Sequence, residues 1–435
     1  MTTLLEDARS GLAPFDPFHP EFLEDPYRFY ATYREADPVH WGAPPEPTVP
    51  GCWYILRHDD ARFVLDDQRF CVEIARAIPP EFLPPIPEPF RPFFEQTGDW
   101  FIFRDPPDHT RLRKLVSGAL TRKQVEQLEP RIRQVATDLL DRPGDAQQID
   151  VIRDYAATLP VVIIADLLGM PLDNRQQLHH WSKAILAGLN LRQSEEAPRL
   201  LMEATTAVQE FSAHIRDVIA EKRRHPDEHL MSRLIAAADA GDQLSDREVV
   251  ATCIMLFFAG HETTVNLIGN GLLALLKNPD QLALLRQRRE LINSTVEEMA
   301  RYDSSGQMTF RFATEDVDLR GKLIGRGEPI AVVIGAANRD PNVFPDPDKF
   351  DITRQDNPHI AFGSGRHHCL GASLARMEAR VSIVTLLERM PEIRLLREKP
   401  EWNRSIGLRG LATLPVSSRA AVLSSAASYA EVGRQ

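Results

Sequence analysis

Cysteine is scarce in this sequence. The four, Cys52, Cys71, Cys253 and Cys369, are scattered without a Cys-x-x-Cys pair, which speaks against a disulfide framework or a zinc ribbon and predicts a reducing, cytoplasmic setting. Positive charge is also short: the net charge of -11 argues against general affinity for nucleic acid. Met1 to Asp7 carry acids and no apolar run of signal or anchor length, so no membrane anchor is expected. No Gly/Ser linker or low-complexity run divides the 435 residues, although length alone would allow about three domains. What is present, 43% hydrophobic and 26% charged residues, is the composition of a globular chain with a large core.

The densest signal is Phe362-Gly363-Ser364-Gly365-Arg366-His367-His368-Cys369-Leu370-Gly371, running directly into a helical pattern from Ala372. A thiol at a helix start gains from the positive helix end and from free amides, which favour the thiolate needed for metal ligation. Gly363 and Gly365 permit positive φ, and Gly371 lets a flat cofactor approach the backbone. Two other readings use the same residues: an inert buried cysteine, or a zinc site on His367, His368 and Cys369. The latter lacks a second Cys or His pair at zinc spacing.

Upstream, Ser245-Asp246-Arg247-Glu248 is a capping box opening a helix to Lys277, where Asn278-Pro279 stops it. Ile254 to Ala259 is apolar on every side, which predicts burial in the centre of a large protein. In its middle, Ala259-Gly260-His261-Glu262-Thr263-Thr264 sets a glycine, a carboxylate and two hydroxyls where propensity and desolvation disfavour them. Either the hydroxyls bond back to helix carbonyls and a base satisfies Glu262, or the group does chemistry. Glu298 and Arg301 share a helix face at i and i+3. Asp108 reads as the N-cap of a helix carrying His109 and Arg113 one turn apart, suited to a carboxylate or to a solvated basic face.

The remaining pattern predicts short strands at 39–41 and 52–56, helices over 125–140, 154–168, 174–189 and 197–224, and strands over 307–313 and 330–337. A last hairpin is expected at 406–411. Prolines from Ile78 to Pro92 forbid regular structure there. Breaks at Met170-Pro171 and around 190–198 would make two helices joined by a loop, as a lid. Residues 1–20 read as an extended segment and 420–435 as a tail.

Taken in order, the acid-alcohol helix, Glu-x-x-Arg and the cysteine loop resemble the cytochrome P450 family, in its bacterial, soluble type. The resemblance implies a mainly α fold with small β-sheets, one domain over 1–435 around heme b (iron protoporphyrin IX). It implies Cys369 as the iron ligand within a haem seat of Ala259, Gly260, Phe362, Gly363 and Gly371, with His109, Arg113, Arg311 and His367 on the propionates. Glu262 and Thr263 would handle protons and oxygen, and Glu298 and Arg301 would form a structural core pair. Lys349 stands where relatives commonly carry an arginine that completes this pair, and Phe310 stands where they usually carry proline before the strand arginine. Gln307, Met308, Thr309 and Leu408 would line the substrate pocket. The implied activity is a monooxygenase inserting one oxygen atom from O2 into a lipophilic small molecule, hydroxylation foremost and of a secondary-metabolite or fatty-acid/terpenoid-like compound. A ferredoxin or flavodoxin with its reductase would supply electrons, docking on Arg111, Lys114, Arg122 and Lys123. Oxidative coupling and peroxide-driven oxidation are the enzymatic alternatives, and a haem-thiolate sensor is the non-catalytic one.

Overall fold

The computed structural model describes residues 12, 15–43, 51–83, 85–118, 120–141, 148–171, 175–189, 196–240 and 244–418. The capping box works as its residues dictate: Ser245 Oγ accepts from Glu248 N at 3.2 Å while Glu248 Oε2 accepts from Ser245 N at 2.7 Å. The helix Asp246–Lys277 follows, 32 residues long. It is long and apolar enough to cross a membrane, but 72% of its apolar stretch is buried inside the protein. Helices Leu159–Leu168, Ala197–Arg224, Leu230–Asp239, Ile292–Tyr302 and Ala372–Arg389 pack around it, as a helix apolar on every side requires. A second capping box, Thr121 with Gln124, starts Arg122–Leu140.

Beside this helical body lies a five-stranded sheet in the order Val39–Gly42, Cys52–Ile55, Pro329–Val333, Met308–Ala313, Phe70–Cys71, antiparallel except for the pairing of the second and third. Smaller sheets join Gln148–Asp150, Pro415–Ser417 and Arg394–Leu395, Glu401–Trp402 with Leu411–Thr413, and Val317–Leu319 with Lys322–Ile324. Mainly α with small sheets is therefore the architecture.

Several expectations shift. The helix expected over 154–168 is two pieces, a π-helical Val151–Ala156 and Leu159–Leu168, because Asp150 caps the first, accepting from Ile152 N and Arg153 N, and Pro160 sits in the first turn of the second. The strand expected over 330–337 ends at Val333, and Ile334–Ala337 turns helical. Asp108 does not cap its helix; it is the first residue of Asp108–Ser117 and bonds Arg111 at 3.1 Å. The last hairpin is present but its strands are Glu401–Trp402 and Leu411–Thr413, so that 406–411 is mostly its loop, and Leu408 in that loop makes an isolated bridge with Gly306. Helix Pro20–Glu24 already begins at residue 20. The tail 420–435, most of 1–20 and most of the break at 190–198 lie outside the described residues.

Candidate active site

The cysteine loop closes on itself: Gly363 N donates to Ile360 O at 2.8 Å and Cys369 N to Phe362 O at 2.7 Å, around a single 3-10 turn, Gly365–His367. Gly363 and Gly365 adopt φ of +73° and +63°, a region that L side chains avoid. Gly365 also lies against the helix His58–Asp66, where a Cβ would stand 2.6 Å from Asp66 Oδ1 and 2.9 Å from Leu65 O. Ser364 Oγ ties the same contact by donating to Asp66 Oδ1 at 2.7 Å. Open space faces Gly371. Cys369 is exposed to that interior space although protein encloses the residue. Burial pushes its thiol up, while the Gly371 amide, Arg113 and Arg376 pull it down. The amide of Gly371, the N-cap of the helix Ala372–Arg389, thus favours the thiolate as the sequence suggests, but in protein alone desolvation outweighs it.

Around the loop stands a group of basic side chains with few partners. His109 is 2% exposed, and neither of its ring nitrogens has a hydrogen-bond partner. Its ring lies 4.3 Å from that of His367, whose Nε2 is also unpartnered. Arg113 donates to His368 O at 2.6 Å. Arg311 is buried, and its hydrogen bonds go to Thr309 Oγ1 at 3.3 Å and Phe310 O at 2.7 Å. Burial lowers its pKa to about 10 and that of His109 to about 4, the latter helped by His367 and Arg113. The acid that faces them among the described residues is Asp105, a residue that the sequence did not single out. Its Oδ2 accepts from Val72 N and Glu73 N at 2.8 and 2.9 Å, and its Oδ1 stands 3.9 Å from both Arg366 and His367.

Within the long helix, Phe258, Ala259, Gly260, Glu262 and Thr263 are partly accessible in an otherwise buried stretch. Gly260 packs on Ile164, where a Cβ would come within 3.2 Å. Thr263 Oγ1 donates to Ala259 O at 2.9 Å and Thr264 Oγ1 to Gly260 O at 3.3 Å, so both hydroxyls bond back to the helix. Glu262 Oε1 is buried without a hydrogen-bond partner; desolvation raises its pKa, opposed by His179 and Lys183.

The sequence profile of the family "Cytochrome P450" matches residues 89–415. The biotin biosynthesis cytochrome P450 of Bacillus subtilis is 39% identical over 400 residues, 91% of this chain and 97% of that one. The chain belongs to the cytochrome P450 family. The 6-deoxyerythronolide B hydroxylase of Saccharopolyspora erythraea is 36% identical over 410 residues, 92% and 97% of the two chains. A crystal structure of P450BioI with hexadec-9Z-enoic acid ligated acyl carrier protein superposes with a TM-score of 0.84 at 39% identity, covering 91% of this chain and 99% of that chain.

A P450 is a haem b monooxygenase. The residues present fit that group: a propionate pair would find unpartnered nitrogens on His109 and His367 beside Arg311, a flat macrocycle would find the open side of Gly371, and the Cys369 thiol is accessible.

In this P450, Glu298 and Arg301 are fully buried and joined by two bonds of 2.7 Å. Arg301 also donates to the carbonyls of Asn338, Pro347 and Lys349 at 3.0, 2.8 and 3.1 Å. Lys349 does not complete this pair with its side chain, which is 62% exposed and 3.8 Å from Asp351. Arg354 does, donating from Nε to Glu298 Oε2 at 3.3 Å. Next to Glu298, Glu297 gathers Arg376 and His359 at 2.6 and 3.0 Å, and Arg376 lies 4.2 Å above the Phe362 ring.

The expected pocket residues divide. Gln307 is a structural hub: its Oε1 accepts from Tyr30 Oη at 3.0 Å, and its Nε2 donates to Ser304 O at 2.7 Å and Tyr27 Oη at 3.1 Å. Met308 packs into the aromatic cluster of Phe15, Phe22 and Tyr30. Both point where their partners are, so neither faces a pocket. Thr309, two residues from Arg311 and on its face of the strand, and Leu408 are half-buried and keep that assignment open. Of the expected docking cations, Arg111 is held by Asp108 and Glu248 and Lys114 and Lys123 are exposed. The Arg122 side chain lies outside the described residues.

Proposed function

We propose that this P450 hydroxylates a large lipophilic molecule, with Cys369 as the axial ligand and His109, Arg113, Arg311 and His367 on the propionates. The observation that carries the assignment is the unpartnered, buried His109 beside His367, next to an arginine without a carboxylate. Buried donors left unpaired are costly, and an anion with two carboxylates satisfies them. Haem b held there supplies the activation of dioxygen and the oxidising equivalents for insertion, with thiolate donation favouring cleavage of the oxygen–oxygen bond.

The chain's own residues do the rest. Glu262, kept protonatable by desolvation, carries protons inward from the solvent side. Thr263, one residue on, has its proton directed to Ala259 O and its lone pairs free to accept. Gly260 keeps the helix thin where a small molecule must enter. Thr309 and Leu408 contact substrate, and Lys114 and Lys123 help a ferredoxin or flavodoxin dock near the cysteine loop. The buried thiols of Cys52, Cys71 and Cys253 suit a cytoplasmic setting, and the whole chain serves one haem as one domain.

Relatives are named for vitamin D(3) and 6-deoxyerythronolide B hydroxylation and one is solved with a carrier-bound hexadecenoic acid; this supports a substrate of long-acyl or polycyclic bulk. Spectral titration of the ferric enzyme tests it. Long-chain fatty acids, macrolactones and sterols are expected to displace an iron-bound water and shift the Soret band, and a response confined to small polar compounds would refute the reading.

A further inference from the structure

We propose that His179, His261 and Glu262 form a binding site for a divalent ion of the zinc(II) type, which ties the helix Arg175–Leu189 to the helix Asp246–Lys277 and occupies the carboxylate assigned above to proton transfer. The binding stands independently of the haem reading; its consequence for turnover rests on it.

One ligand atom from each of the three residues lies within 4.8 Å of the others. His261 Nδ1 is 3.8 Å from Glu262 Oε1, and the imidazoles of His179 and His261 stand 5.2 Å apart at 65°. Bonds of about 2.0–2.1 Å around a tetrahedral ion separate its ligands by about 3.4 Å, so closure needs a small side-chain rotation on each helix and no backbone rearrangement. His261 is 0% exposed, and its Nε2 and Glu262 Oε1 are both buried without a hydrogen-bond partner. Nδ1 lies a long 3.5 Å from Ser182 Oγ, and the Ala157 backbone is a further hydrogen-bonding neighbour of the ring. The Glu262 oxygen that faces the two imidazoles has no hydrogen-bond partner of its own.

The donor set selects the ion. Two imidazoles and one carboxylate are what three-ligand zinc sites use, the fourth position going to water. Calcium and magnesium want oxygen donors throughout. Burial holds both imidazoles below the usual histidine range, which leaves them neutral and able to coordinate at pH 7. Lys183 opposes the ion electrostatically, but it is exposed and screened at physiological salt. Neither zinc nor its ligands touch the cysteine loop. Within the site, the ion competes with the proton for Glu262.

The test is equilibrium dialysis of the purified holoprotein against zinc chloride, with bound metal counted by elemental analysis. Wild type, His179→Ala, His179→Gln, His180→Ala and His229→Ala are compared. His180 and His229, the latter paired with Asp227, are exposed and report surface binding. Wild type is expected to hold one zinc per chain more than either His179 variant, whose affinity falls by more than about 10-fold, the lower end of what losing even an outer-shell partner costs. The two surface variants keep it. Unchanged haem content shows that the His179 variants are folded. No zinc bound by wild type, equal binding in the His179 variants, or loss only in His229→Ala would overturn the site. Zinc is also expected to slow product formation in wild type and not in His179→Ala. Zinc bound at the site without such slowing would refute Glu262 as the proton carrier and leave the site standing.

Discussion

The buried carboxylate of Glu298 offers a contrast between two neighbouring cations. Besides the two bonds from Arg301, it accepts from Asp351 N at 2.9 Å, Asn357 Nδ2 at 3.2 Å and Arg354 Nε at 3.3 Å. Truncating Arg354 removes that last bond and two exposed ones, from Nη1 to Pro345 O at 2.9 Å and from Nη2 to Asp346 O at 3.4 Å. A hydrogen bond to a charged group contributes about 1.5–3 kcal/mol, and exposure to water cuts this to a few tenths. The 3.3 Å length sets the bond to Glu298 at the lower end, and the other two are solvent-exposed, so Arg354→Ala is expected to cost about 2 kcal/mol. Lys349→Ala loses only an exposed ion pair of 3.8 Å, a kind that contributes about 0–1 kcal/mol, because Arg301 uses the Lys349 backbone carbonyl, which alanine retains. Urea unfolding of the holoenzyme, followed by far-UV circular dichroism, gives both values. Equal losses in the two variants, or a larger one for Lys349→Ala, would refute this account of the core.

Gly365→Ala places a side chain at positive φ, about 1–2 kcal/mol of strain, and drives its Cβ into Leu65 O; haem retained per chain should fall, as absorbance against protein concentration reports. Glu378 is buried against Thr264, and desolvation raises its pKa to about 8. Between its ordinary value of 4.5 and about 8 the folded state holds a proton that the unfolded state gives up, so stability falls as pH rises through that window. Glu378→Gln should flatten the dependence and unfold at higher urea than wild type at pH 8; parallel pH curves would contradict this. Glu262→Gln should lower kcat about 100-fold, as for loss of a general acid, and Thr263→Ala should lower the share of electrons that ends in product, measured as product formed per NADPH consumed. Unchanged coupling in Thr263→Ala removes that residue from proton handling.

Short-range chemistry was legible in the sequence. The capping box at Ser245 marked the long helix because its partners are three residues apart, and the spacing of Gly363, Gly365 and Cys369 marked the loop because glycine has few substitutes at positive φ. Long-range pairing was not. Whether Lys349 or Arg354 reaches Glu298 depends on how an irregular, proline-rich segment folds back, which no period encodes. Gln307 and Met308 have the alternation of a strand, but their partners Tyr30 and Phe15 lie more than 270 residues earlier. Asp105 carried no signal beyond its proline neighbours. Glu378 did carry one, an acid among the buried positions Leu374, Met377 and Val381 of its helix. His179 likewise meets His261 only through the fold, which sets the two rings 5.2 Å apart.

The central claim, a thiolate-ligated haem on Cys369, is tested most directly by the difference spectrum of the reduced, carbon monoxide-bound protein. Wild type should show the red-shifted Soret band of a thiolate-ligated haem and Cys369→Ser should lose it while staying folded by circular dichroism. A wild type without that band, or a Cys369→Ser variant that keeps it, would contradict the assignment.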